Sequence, residues 1–253
     1  MNAQIPFLIY CSMAGLFSTA FVLGLFKQTR WSRGLGLAGT VACGAGVVWL
    51  MATEKRLPLY GSLEAIIYVS FVLTLVQHFA SPPVQAKSRN RLRVVTHGVV
   101  CLLLVVQAGR PMAFNADFFM YDNLWVNLFF NLRLNAVALF VWAAIVSMVG
   151  AWSQPGRAGF DRETRDRLMY GGRNFLLTGI AVYLVSEWSG SLWCLNWFGD
   201  SWQWSRGFFK AGIIFLLVMV ASHLPKSLAG SDRVKALFAA CPGGYILFML
   251  FQH

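Results

Sequence analysis

The sequence predicts an all-α, polytopic membrane helical bundle of about eight transmembrane helices, with N- and C-termini outside and a Trp-rich outer loop between spans six and seven. Three observations predict it. Hydrophobic residues make up 57% of the 253-residue chain and charged residues only 12%, with a mean hydropathy of +0.59, whereas soluble domains are about a quarter charged. Eight uninterrupted apolar stretches take most of the length at roughly 20 residues per span, so one transmembrane domain over 1–253 is expected. Lys and Arg concentrate in alternate loops, as topology signals do.

The first apolar run, 5–26, follows Met-Asn-Ala-Gln-Ile-Pro, with neither a basic n-region nor a small-residue cleavage site, and is expected to be a retained helix. Further spans are expected near 35–52, 62–80, 94–109, 124–152, 172–189, 207–225 and 234–251. The fourth is short for a span, and the fifth is long enough to tilt or project. All are continuously apolar, which excludes a β-barrel, whose strands alternate over about 10 residues.

Loops after spans one, three, five and seven hold fifteen of the 21 Lys and Arg: Lys27, Arg30, Arg33; Lys87, Arg89, Arg91, Arg93; Arg157, Arg162, Arg165, Arg167, Arg173; and Lys226, Arg233, Lys235. The opposite loops hold Lys55, Arg56, Arg110, Arg206 and Lys210, and Arg133 lies inside span five. The positive-inside rule then puts both termini outside, with 53–61, 110–123 and 190–206 on the outer face. The formal charge of +11 is thus spent on topology, and no nucleic-acid partner is expected.

The motif search excludes several activities. There is no P-loop, GxGxxG, nucleophile elbow, HExxH or carboxylate pair, so hydrolase and nucleotide-driven transport readings lack residues. Cys11, Cys43, Cys101 and Cys241 lie in apolar runs as small hydrophobes, Cys194 falls in an expected loop, and no CxxC occurs. A small-solute transporter would show inverted halves or paired broken helices, which are absent.

The densest signal is Glu187–Lys210, which holds Trp188, Trp193, Trp197, Trp202 and Trp204, half of the ten tryptophans. An aromatic belt at headgroup level is one reading. A folded lid, turned at Gly190 and Gly199 and offering ring faces to a flat apolar ligand, is the other. His78, His97 and His223 all fall near the inner face, and His253 ends the chain outside. Such an imidazole either hydrogen-bonds a neighbouring helix or ligates a metal such as haem iron. Glu64, in the first turn of span three, complements the helix dipole or serves a site. Arg133 can snorkel, pair with Glu187 or Glu64, or meet a ligand carboxylate such as a haem propionate. Asn127, Asn131 and Asn135 form one polar stripe on span five, suited to interhelical hydrogen bonds or a cofactor-facing wall.

The Trp-rich stretch resembles the WWD segment of CcsA/ResC-type cytochrome c assembly proteins, which handle haem. That signature reads approximately G-x-x-W, a W-G pair, then W-x-W-D, followed by a helix bearing a histidine. Gly190, Trp193, Gly199, Trp202 and Trp204 fall at matching spacings within the WWD-like segment 187–210, and His223 falls where the transmembrane histidine stands. Pro58 and Glu64 match the family's P-x-S-N-x-Y-E segment. Ser205 replaces the motif's Asp, Phe198 replaces a Trp, "RGFF" replaces P-K-E, and Phe129 occupies the place of an outer histidine.

The resemblance implies a non-covalent b-type haem, bound or relayed in cytochrome c maturation. It makes His223 an iron ligand, with His78 or His97 as the second. Trp193, Trp202 and Trp204, with Gly199, would pack on the porphyrin, Arg133 or Arg110 would neutralise a propionate, and Glu64 would border the cofactor. Implied partners are the lipid bilayer, another cytochrome c maturation membrane subunit and apocytochrome c. The implied location is a bacterial-type inner membrane, with the Trp-rich loop periplasmic. The missing Asp and outer histidine imply a divergent member that is not a complete haem lyase on its own. The alternative is a haem-free structural or regulatory subunit that docks a partner through the Trp-rich loop.

Overall fold

In a computed structural model the described residues, 4–109, 122–152, 162–199, 206–224 and 230–250, form helices and no strand. In chain order they are α1 (Gln4–Leu25), α2 (Thr29–Glu54), α3 (Ser62–Phe79), α4 (Ala86–Ala108), α5 (Leu124–Trp152), α6 (Arg162–Phe198), α7 (Arg206–Ser222) and α8 (Asp232–Leu250). Helices α1 to α6 are long and apolar enough to cross a membrane, and Phe209–Ser222 of α7 is a shorter apolar segment. The expected all-helical architecture with several membrane-length apolar helices is therefore present, and six of the eight expected spans meet that length and composition among the described residues. The chain divides into two compact units, Met1–Ser81 with Gln85–Phe118, and Pro82–Val84 with Phe119–His253.

In the first unit, α1 and α3 each pack on α2 and α4. The buried face of α2 reads Ser32, Gly36, Gly39, Cys43, Gly46 and Leu50, every third or fourth residue. Small residues suit a membrane bundle because lipid gives no hydrophobic drive between helices, so close van der Waals approach does the work. Phe17 fills the notch at Gly39, where a Cβ would meet its ring at 2.9 Å, and Phe71 fills the one at Gly44 at the same distance. Polar ties add to this: Ser32 Oγ donates to the Ala20 carbonyl at 2.7 Å, Tyr10 to the Leu104 carbonyl, and Gln107 Nε2 to Ser62 Oγ at 3.4 Å.

In the second unit, α5 is the central helix, buried on nearly every side from Leu134 to Ala151. It packs on α6 and α8, and α8 also packs on α7. Asn123 begins α5 as an N-cap, its Oδ1 accepting from the amides of Trp125 at 2.9 Å and Val126 at 3.3 Å. The buried face of α6 runs Leu168, Gly172, Leu176, Gly179, Tyr183, Ser186 and Gly190. At Gly179 a Cβ would meet the Phe140 ring at 2.9 Å, and at Gly243 of α8 it would meet the Phe140 carbonyl at 3.1 Å.

Two expectations are corrected. Helices α2, α4 and α6 begin at Thr29, Ala86 and Arg162, earlier than their apolar runs. Backbone hydrogen bonding needs no apolar side chain, so the helix continues through basic residues that hydropathy reads as loop. With 23 residues, α4 is not a short span. Helix α6 also continues to Phe198, so Trp193, Cys194 and Trp197 are helical where a loop was expected. Gly190 admits a neighbouring ring to the helix surface instead of making a turn. Gly199 does end the helix, at φ +72, with its amide donating to the Leu195 carbonyl at 3.0 Å. Trp202, Trp204, Arg110 and His253 lie outside the described residues.

Candidate functional site

Two of the histidines meet in the first unit. His97 of α4 is completely buried. Its imidazole lies on the backbone of α2 at Gly36, where a Cβ would fall 2.3 Å from both Cε1 and Nε2, and beside Phe17, with ring centroids 5.8 Å apart. Neither ring nitrogen has a hydrogen-bond partner. A neutral imidazole carries one donor and one acceptor, and each left unmet costs about 1–3 kcal/mol. His78, in the last turn of α3, has a buried Nε2 that is likewise unpartnered. It interacts electrostatically with His97 and with Arg33 and Arg93. One end of this unit thus carries two imidazoles with unpartnered nitrogens, and the Arg33 and Arg93 guanidinium groups act electrostatically on His78.

Glu64 lies at the α2–α3 turn and is committed elsewhere. Arg56 Nη1 and Nη2 donate to its two carboxylate oxygens at 2.9 and 2.8 Å, and the Tyr60 amide donates to Oε2 at 3.3 Å. The side chains are 6% and 1% exposed. Buried, bidentate and charge-assisted, the pair clasps the loop carrying Pro58 and Gly61. The Glu64 carboxylate thus has a structural partner in Arg56, beside the cofactor-bordering place expected for it.

In the second unit Arg133 of α5 pairs with Glu187 of α6, one of the partners expected from sequence. Its guanidinium carbon lies 4.1 Å from the Phe129 ring centroid and 5.5 Å from that of Tyr183, within cation–π range. Phe129 in turn packs on Trp193, with centroids 6.1 Å apart, and against Gly190, where a Cβ would meet its ring at 2.6 Å. Trp193 Nε1 is buried without a partner. A phenyl ring therefore stands beside Gly190 and Trp193 at the place of the outer histidine that the resemblance implies. On the asparagine stripe, Asn135 Nδ2 donates along the helix to Asn131 O and Oδ1, both at 2.9 Å.

His223 follows α7 and is exposed. Its Nδ1 lies 3.0 Å from the Met219 carbonyl. A carbonyl only accepts, so Nδ1 is the donor of this contact, and in the neutral ring that leaves the lone pair on Nε2. Its neighbours Ser222 and Leu224 line a cavity with Arg173 of α6, and Trp193 lies twenty residues further along α6, about 30 Å at helical rise. One haem cannot touch both His223 and Trp193.

Comparison with protein-family models, curated proteins and solved structures finds no match to this chain. Sequence reading missed Arg56, which had no signal beyond its spacing across a Pro- and Gly-shaped loop. It also read Arg173 and Lys235 only as topology charges, although both line the cavity beside His223.

Proposed function

We propose that this chain handles haem in the membrane, binding or relaying a b-type haem as a divergent CcsA-like subunit of cytochrome c maturation. The observation that carries the reading is the contact of His223 Nδ1 with the Met219 carbonyl at 3.0 Å, which in the neutral ring leaves the Nε2 lone pair for iron. His78 and His97 form a second imidazole pair, with Arg33 and Arg93 as cations for propionates. When bound, haem supplies a redox-active iron whose potential its axial ligands set. The chain's own residues supply imidazole nitrogens and positive charge.

The Lys and Arg distribution supports an inner-membrane topology with both termini outside and the Trp-rich segment periplasmic. With Phe129 in place of an outer ligand, attachment of haem to apocytochrome c would require a second membrane subunit. In cells lacking the native protein, the His223→Ala variant should reduce the yield of c-type cytochromes compared with wild type. An unchanged yield would remove His223 from the pathway.

A second reading has its own support. Trp188, Trp197 and Phe198 are 59%, 50% and 56% exposed at the end of α6, a surface suited to a docked partner. In that reading the chain is a haem-free structural or regulatory subunit. It predicts a colourless protein that copurifies with a stoichiometric membrane partner.

A further inference from the structure

A half-open cavity of about 360 Å³ lies within the second unit, bordered by Ser147 of α5, Tyr170 and Arg173 of α6, Ser222 at the end of α7, and Lys235 of α8. Arg173 is the last cation before the apolar run of α6 and Lys235 stands in the first turn of α8, so both mark headgroup level. Arg173 makes no ion pair among the described residues. Asp232 is shared between Lys235, at 3.2 Å, and Arg165, and Glu163 is paired with Arg167. With Asp166 counted, the opening turns of α6 and α8 hold the three acids Glu163, Asp166 and Asp232 against the six cations Arg162, Arg165, Arg167, Arg173, Arg233 and Lys235, so positive charge is in excess. The remaining wall is apolar, with Leu176, Leu224 and Ala239. A fully soluble anion would leave that wall wet, and a fully apolar ligand would strand two cations. The volume is at the low end for small-molecule sites, enough for a headgroup whose chains continue into lipid.

We infer that this cavity binds an anionic glycerophospholipid of the surrounding bilayer, its phosphate held between Arg173 and Lys235. Basic pockets between transmembrane helices hold anionic headgroups in this way. The lipid ties α6 to α8 at the end where Arg165 and Asp232 already join them. The inference stands on the cavity alone and is independent of haem.

The test is native mass spectrometry of the detergent-purified full chain with added dioleoyl phosphatidylglycerol or dioleoyl phosphatidylcholine. Phosphatidylglycerol should be retained preferentially, and Arg173→Gln or Lys235→Gln should each weaken retention roughly fivefold. Ala239→Leu, which fills the wall and keeps both charges, should weaken it too, while Arg30→Gln, outside the cavity, should not. Equal retention of the two lipids, or equal losses in Arg30→Gln and Arg173→Gln, would overturn the assignment. Displacement by equimolar glycerol 3-phosphate would overturn the lipid as the source of the phosphate.

Discussion

Arg133 of α5 and Glu187 of α6 form an ion pair within the second unit, with the Arg133 guanidinium also stacked 4.1 Å from the Phe129 ring centroid. The pair joins two helices whose contact face is rich in glycine and small residues and carries a second polar tie, Ser186 Oγ donating to the Phe129 carbonyl at 2.8 Å. The side chains are 28% and 31% exposed, so the pair is shielded but not sealed.

Removing one partner leaves the other charge uncompensated at membrane depth, a cost of about 2.5–3.5 kcal/mol on insertion scales, less here for the partial exposure. Arg133→Met and Glu187→Gln should each lower the thermal midpoint in detergent. The double variant should lose less than the two losses combined. Additive losses would show that the two residues are not coupled.

Gly36→Ala should destabilise the first unit by about 1–3 kcal/mol, because its Cβ would fall 2.3 Å from the His97 ring. Adding His97→Ala should recover part of that loss by vacating the notch. The readout is the fraction of protein remaining monodisperse after graded heating. A Gly36→Ala protein as stable as wild type would remove the close contact.

Glu64→Gln should act on stability and not on haem. It leaves Arg56 buried with a charge and no carboxylate, which costs several kcal/mol at a 6% exposed site. Expression and thermal midpoint should fall, while haem per folded protein should stay the same. Loss of haem at unchanged stability would reinstate Glu64 as a cofactor residue.

Much of the fold was legible because a bilayer imposes its thickness on the sequence. The ends of α3 and α5, at Ser62, Leu124 and Trp152, fall where the apolar runs begin and stop. Where the helix outlasts the bilayer the signal fails, as in the basic opening turns of α4 and α6. Trp193 was read as loop because glycine signals both turns and close packing, and only Phe129 lying on Gly190 shows which holds. The Arg133–Glu187 pair was foreseeable, since a charge in an apolar run needs a partner and few acids were at that depth. The Arg56–Glu64 clasp was not, because two charges eight residues apart across a loop carry no periodic signature. Nor does spacing reveal that Ser222 and Leu224, which flank His223, line a cavity with Arg173, twenty residues along α6 from Trp193.

The topology is open to a labelling test. In a background with the native cysteines replaced, Lys55→Cys should react with a membrane-impermeant maleimide in intact cells, and Lys87→Cys only after lysis. The reverse pattern would invert the orientation read from the Lys and Arg distribution.

The most direct test of haem handling is the absorption spectrum of the purified chain, oxidised and dithionite-reduced, beside the His223→Ala variant. Haem ligation predicts a Soret band with resolved reduced α and β bands in wild type, and their loss or shift in the variant. Wild-type protein without a Soret band, made with ample haem and its membrane partner coexpressed, would contradict the account and leave the docking subunit in its place.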